Sequence, residues 1–187
     1  NNGLPDLFVA NIINQNNMLF RNDGGGSFTQ ITSGVIVNDG GFSYGACYGD
    51  YNNDGFADIF VINGGSSTNQ NNFYYTNNGN GTFTKITNGI FVNEIGNSWG
   101  CSSVDYDRDG KLDIFTSNFN RNNFLYKGNG DGTFNKITAG AIVNDGGGSL
   151  GCAWGDYDND GYQDLFVANA NFASGENNFL YKNNGDG

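Results

Sequence analysis

One phrase recurs along this chain at a spacing of just over fifty residues, and that recurrence limits the folds open to it. Residues 49–60 read GDYNNDGFADIF, residues 104–115 VDYDRDGKLDIF and residues 155–166 GDYDNDGYQDLF. The chain opens on the back half of the same phrase, Asn2-Gly3-Leu4-Pro5-Asp6-Leu7-Phe8, so Asp6, Asp58, Asp113 and Asp164 stand 52, 55 and 51 residues apart. The rest of the unit repeats with it. NMLFRN (17–22), NFYYTN (72–77), NFLYKG (123–128) and NFLYKN (178–183) precede Gly-rich turns, and SYG (43–45), SWG (98–100) and SLG (149–151) precede each acidic phrase. Four short aromatic or β-branched runs per unit, bounded by Gly and Asn, are the signature of a four-stranded sheet. A period above fifty with four such runs fits propeller blades better than a solenoid with one strand per turn. Strands are expected near 44–49, 58–63, 72–77 and 82–86 in the first complete unit.

The predicted fold is therefore all-β: a β-propeller of four-stranded antiparallel blades, about 3.5 to 4 repeats of 51–55 residues, with 1–187 forming a single propeller domain or a propeller fragment. Its parts are a partial blade 1–49, units of about 50–104 and 105–155, and a partial last unit 156–187. Open blade edges invite pairing between chains, so self-association is expected. The opening Asn1, with no cleavable signal peptide, suits a mature product or an excised piece.

The acidic phrase is a metal-loop pattern, D-x-[DN]-x-D-G-x-x-D. It offers Asp50, Asn52, Asp54 and Asp58, then Asp105, Asp107, Asp109 and Asp113, then Asp156, Asp158, Asp160 and Asp164. Oxygen ligands at alternate positions let one tight loop wrap a hard cation, and Gly55, Gly110 or Gly161 permits the bend. Phe56, Lys111 and Tyr162 vary in side chain at a fixed spacing, so each is expected to lend its backbone carbonyl. No Glu stands at the twelfth position, which excludes an EF-hand. Eleven of the 17 aspartates lie in these loops, and crowded carboxylates repel one another without a cation. About three Ca2+ ions per chain would lower the net charge from -11 to -5. The ions are expected to be structural, pinning the first two strands of each blade. The opening loop keeps only Asn2 and Asp6, and no full site is expected there.

Composition excludes several functions. Nineteen acids against eight bases leave no basic patch for nucleic acid or for an anionic membrane surface. No apolar run of eighteen residues could span a membrane. There is no histidine, which removes the usual general base and the usual catalytic zinc ligand. Cys47, Cys101 and Cys152 fall in the first strand of their units and read as small buried thiols. Asn80-Gly81-Thr82 matches a glycosylation sequon but falls in a repeated Gly turn. A catalytic pair of acids should break the repeat, whereas most acids outside the loops fall at repeat-equivalent turns and Glu176 is the best exception, so the chain reads as non-catalytic; a polysaccharide-active enzyme or its appendage is the poorer reading.

Together, the acidic loop, the [IL]-F-V-x-N run, the N-x-L-[FY]-x-N run and the N-G-x-G-x-F turn resemble the VCBS / FG-GAP repeat family of integrin-α-like β-propellers. The resemblance covers essentially the whole chain. It implies calcium held in the loop between the first two strands, seven-bladed relatives, an extracellular or cell-surface location, and duty in adhesion, as lectins or as enzyme appendages. The expected function is thus a calcium-stabilised extracellular binding or scaffold module for a protein or glycan. Carbohydrate binding as a lectin is the alternative. Its ligand face would lie opposite the calcium loops, at Asp39 with Tyr44, Glu94 with Trp99, Asp145 beside Leu150, and at Phe119 and Phe172. An acid or amide beside an aromatic suits a sugar ring, although turn capping and core packing explain the same residues.

Overall fold

The computed structural model describes residues 2–64, 70–170 and 175–185. Its strands form four antiparallel sheets in chain order. The first contains β1 (Leu7–Val9), β2 (Met18–Gly24) and β3 (Ser27–Ile31). The second contains β4 (Ser43–Gly49), β5 (Asp58–Asn63), β6 (Phe73–Asn77) and β7 (Phe83–Ile86). The third contains β8 (Ser98–Val104), β9 (Asp113–Asn118), β10 (Phe124–Gly128) and β11 (Phe134–Ile137). The fourth contains β12 (Ser149–Gly155), β13 (Asp164–Asn169) and β14 (Phe179–Tyr181). All four are simple meanders, with each strand paired to its neighbour in sequence. The expected strands of the first complete unit coincide with β4 to β7 to within a residue or two.

The sheet boundaries differ from the expected unit boundaries. Units cut at 50, 105 and 156 sever β4, β8 and β12 from the sheets to which they are hydrogen-bonded. A repeat can be phased anywhere in sequence; the ladder fixes the phase at Ser43, Ser98 and Ser149.

Packing follows the alternation of the strands. In β5 and β9 every residue is buried, so these second strands are covered on both faces. Phe60 and Tyr74, cross-strand neighbours on one face of the second sheet, pack against Ile114, Tyr126 and Phe134 of the third. The opposite face, with Ile59, Val61, Phe73 and Tyr75, packs against Phe8 and Leu19 of the first sheet. Phe115 and Leu125 of the third sheet meet Leu165 and Val167 of the fourth. The core therefore consists of three successive sheet-to-sheet junctions. The segments entering β4, β8 and β12 close them from the side, burying Ile36 and Val37, then Phe91 and Val92, then Val143.

Each S-x-G triplet forms a bulge at the start of a first strand, between Ser43 and Gly45, Ser98 and Gly100, and Ser149 and Gly151. The extra residue in each is Tyr44, Trp99 or Leu150, unpaired in the ladder, which frees its side chain from the alternation. First strands of neighbouring sheets lie side by side, β8 against both β4 and β12. A Cβ on Gly100 would sit 3.0 Å from the Gly151 Cα, so glycine permits this approach.

Candidate functional site

The three acidic loops share one backbone and one hydrogen-bond scheme. In the loop before β5, Asp50 accepts the N–H of Asp54 at 3.0 Å and of Gly55 at 2.8 Å, and Asp54 accepts that of Phe56 at 2.9 Å. In the loop before β9, Asp105 accepts the N–H of Asp109 at 3.0 Å and of Gly110 at 2.9 Å, and Asp109 accepts that of Lys111 at 3.0 Å. The loop before β13 repeats this with Asp156, Asp160, Gly161 and Tyr162. Gly55, Gly110 and Gly161 take φ of 88°, 83° and 90°. Asn53, Arg108 and Asn159, two positions earlier, are also left-handed, at φ of 57°, 61° and 60°. Such a conformation is costly for arginine. The Arg108 guanidinium stacks 4.4 Å from the Tyr162 ring and donates to the Gly161 carbonyl.

This winding draws carboxylates together. One oxygen each of Asp105, Asp107 and Asp109 lies within 4.8 Å of the others, and Asp156, Asp158 and Asp160 form the same triad. In the loop before β5 an amide stands at the middle position, and Asn52 Nδ2 donates to Asp54 Oδ2 at 2.9 Å. The donors are all hard oxygen, with no thiolate or imidazole, and this set fits calcium.

The ninth-position aspartates sit elsewhere in the scheme. Asp58, Asp113 and Asp164 are buried at the first residue of the second strand. Asp113 accepts the Tyr106 N–H at 3.1 Å and the Gly128 N–H at 2.8 Å, so it ties the acidic loop to the end of β10. Asp164 makes the matching pair with Tyr157 and Asn183, and Asp58 with Tyr51 and Asn77, with the Tyr74 hydroxyl added at 3.1 Å. Burial pushes the Asp113 carboxyl up to about 7 against those two N–H donors, and the Asp107 and Asp109 charges add to the rise. Burial likewise raises Asp58. Neither Asp113 nor Asp164 belongs to the converging triads.

Two lysines absent from the sequence-based set complete the picture. Lys127 on β10 pairs with Asp107 and, at 3.4 Å, with Asp109. Lys182, at the end of β14, pairs with Asp158 and, at 3.2 Å, with Asp160. Their signal was the Tyr-Lys dipeptide at 126–127 and 181–182, where the second sheet has Tyr75-Thr76.

The residues of the expected ligand face fall into two separate groups. The acids latch each connection to the next sheet. Asp39 accepts the Tyr75 hydroxyl at 2.7 Å and pairs with Lys85 at 2.8 Å. Glu94 accepts the Tyr126 hydroxyl at 2.7 Å and pairs with Lys136, and Asp145 accepts the Tyr181 hydroxyl at 3.0 Å. The aromatics instead meet one another, Tyr44 and Trp99 with ring centres 4.7 Å apart and Trp99 and Phe119 5.7 Å apart. Trp99 Nε1 donates to Asn97 Oδ1 at 3.1 Å. Phe172 lies outside the described residues. Glu176 accepts the Gly148 N–H at 2.7 Å. The cysteines have no disulfide, and burial holds the Cys152 thiol up to about 12.

A repeated Ser–Asn–Asn network also went unread in the sequence. Ser43 donates to Asn63 at 2.8 Å, and Asn63 is bracketed by Asn72 and the Asn71 carbonyl. Ser98 with Asn118 and Ser149 with Asn169 repeat it. The recurring Ser of S-x-G and the Asn closing each second strand were its signal. Among the described residues no helix is long and apolar enough to cross a membrane.

Comparison with known families agrees with this architecture. The FG-GAP-like repeat profile matches residues 1–61, 50–116 and 105–167, nearly the full length of the chain. The chain belongs to the FG-GAP-like repeat family. No curated protein matches it.

Proposed function

We propose that this chain is a calcium-stabilised binding or scaffold module of β-propeller type, extracellular or displayed at a cell surface, that recognises a protein or glycan and carries out no catalysis. The observation that carries the reading is the threefold recurrence of one oxygen cradle at one place in successive sheets. Isolated acidic turns have no reason to share backbone, glycine bend and hydrogen-bond scheme three times. Asp105, Asp107 and Asp109, Asp156, Asp158 and Asp160, and Asp50, Asn52 and Asp54 would hold the ions. Calcium, when bound, neutralises the crowded carboxylates and couples loop order to ion concentration. The side-by-side first strands and successive face-to-face junctions support blades arranged about a common axis.

Native mass spectrometry with and without chelator, paired with thermal unfolding, tests this. Three ions per chain are expected, and chelation should lower the melting temperature substantially. Each site stabilises the fold by about 2.7 kcal/mol when calcium stands at about a hundred times its dissociation constant. An unaltered melt and no bound ion would sink the reading.

Glycan binding is supported by one specific feature, the aromatic cluster of Tyr44 and Trp99 on the bulged strands with Phe119 just after β9. Its acids do not accompany it, since Asp39 and Glu94 are engaged by tyrosine and lysine. Trp99→Ala should then abolish glycan-array signal while leaving calcium stoichiometry at three; persistence of the signal excludes the cluster as the sugar site.

A further inference from the structure

The three cysteines are all free, and two of them face each other across one sheet-to-sheet junction. Residues directly opposite in an antiparallel pair share a face of the sheet. Cys47 stands opposite Phe60, which packs toward the third sheet. Cys101 stands opposite Thr116, two residues from Ile114, which packs toward the second. The two thiols therefore project into the same junction, from first strands that lie side by side. They are not equivalent in the repeat. Ser102 takes the place of Cys47 in the third sheet, opposite Phe115, and Cys152 takes that of Cys101 in the fourth, opposite Val167. The junction between the third and fourth sheets thus holds a serine and a thiol, and only the one between the second and third holds two thiols.

Hydroxyl groups gather on this pair. The Tyr51 hydroxyl donates to Cys47 Sγ at 3.6 Å. It also shares a 2.5 Å hydrogen bond with Ser103 Oγ, two residues beyond Cys101 on the same face of β8. Burial raises the Cys47 thiol, but hydrogen bonds from Cys101, Ser103 and Tyr51 outweigh it and bring the group below its ordinary value. The Cys101 thiol goes the other way, raised by its contact with Cys47 and by burial. One sulfur is the better thiolate and its neighbour keeps the proton, which is the division between an attacking and a resolving cysteine. The buried Thr116 hydroxyl opposite Cys101 has no partner among the described residues, which leaves a donor at this junction for an oxygen carried on sulfur. Cys47 is 7 % exposed and Cys101 half-buried, so a small oxidant suits the site better than a protein disulfide.

We propose that Cys47 and Cys101 form a peroxide-driven disulfide that staples the second sheet to the third. The Cys47 thiolate attacks one oxygen of hydrogen peroxide, the O–O bond breaks, and a sulfenic acid and hydroxide result. The Cys101 sulfur then attacks the Cys47 sulfur and displaces the sulfenic hydroxyl, which leaves as water with the Cys101 proton. Hydroxide takes up the proton that Cys47 had released. Two thiols are oxidised to one disulfide, and one peroxide is reduced to two waters. The new bond closes a loop that contains β5, β6 and β7, so it restricts the unfolded chain and stabilises the fold. The proposal does not rest on the calcium or ligand-binding reading.

Titration of the 187-residue chain with hydrogen peroxide tests it. The thiol count after unfolding should fall from three to one, and peptide mapping should join residue 47 to residue 101. The melting temperature should rise and return with dithiothreitol. Cys152→Ser should form the same cross-link as wild type. Cys101→Ser removes the resolving thiol, so its Cys47 should take up dimedone as a trapped sulfenic acid, with the wild-type circular dichroism retained. A thiol count that stays at three, a cross-link that includes Cys152, or a wild-type Cys47 carried on to sulfinic acid without a cross-link overturns the proposal.

Discussion

The acidic loop before β5 and the one before β9 have the same backbone but reach electrostatic relief by different means. Before β5, the middle position is Asn52, whose amide donates to Asp54, and the facing residue on the third strand is the uncharged Thr76. Before β9, the middle position is Asp107, and Lys127 reaches it from the third strand. The loop before β13 follows the second pattern with Asp158 and Lys182. Loop shape is thus set by backbone N–H groups and glycine, whereas charge is adjusted separately by one residue in the loop and one across the sheet. The ninth aspartate belongs to the part that does not vary.

That division is tested most severely at the ninth position. Asp113→Ala leaves the buried N–H groups of Tyr106 and Gly128 without an acceptor, and the cost should be about 2–4 kcal/mol. Asp58→Ala should cost more than Asp113→Ala, because Tyr74 also loses its partner. Urea unfolding in chelator reads both. Equal losses with and without calcium fit a strand latch. A loss seen only with calcium would make Asp113 chiefly a ligand and would collapse the distinction between fixed and adjustable parts.

The next effect is at the bend. Gly110→Ala and Gly161→Ala force a left-handed conformation on a residue with a Cβ, at a cost of about 1–2 kcal/mol each. A Cβ on Gly161 also stands 3.0 Å from the Arg108 guanidinium, whereas one on Gly110 meets nothing within 4 Å. Gly161→Ala should therefore be the worse of the two in thermal unfolding. The reverse order would mean that the Arg108–Tyr162 stack does not hold the two loops together.

Much of this was legible because the sequence repeats. A fifty-residue period with aromatic runs between glycine turns fixed the strands to within a residue or two, and carboxylates at alternate positions marked the loops. The phase of the sheets was not legible, since a period has no beginning until hydrogen bonds choose one. Lys127 and Lys182 were missed because they lie about twenty residues from the acids they face and meet them only across a folded sheet. The acid-plus-aromatic ligand face was assembled from proximity in sequence. The bulge turns Tyr44 and Trp99 toward each other, and Asp39 and Glu94 are taken up by third-strand tyrosines and outer-strand lysines. Arg108 in a left-handed conformation carried no local signal at all; its stabilising partner, Tyr162, belongs to the next loop.

The smallest effects lie in the adjustable charge, and in each loop calcium-free stability and calcium affinity should move in opposite directions. Lys127→Thr gives the loop before β9 the third-strand residue found opposite the loop before β5. Without calcium it leaves Asp107 without its cation, while Asp109 keeps only Lys111 at 3.4 Å, and stability should fall by about 0.2–1 kcal/mol, as for an ion pair near the surface. With calcium the same carboxylates lose a competitor, so affinity at that site should rise several-fold. Asn52→Asp adds a carboxylate to a loop that has no facing lysine. It should lower the calcium-free melting temperature slightly and also raise calcium affinity. Asn52→Asp combined with Thr76→Lys should bring both quantities back toward wild type, because the pair then reproduces the Asp107–Lys127 arrangement. Calorimetric calcium titration with parallel melts in chelator reads all three variants. If the combined variant behaves as the sum of the two single changes, with no compensation, the third-strand lysine does not offset the extra carboxylate and the two loops differ for another reason.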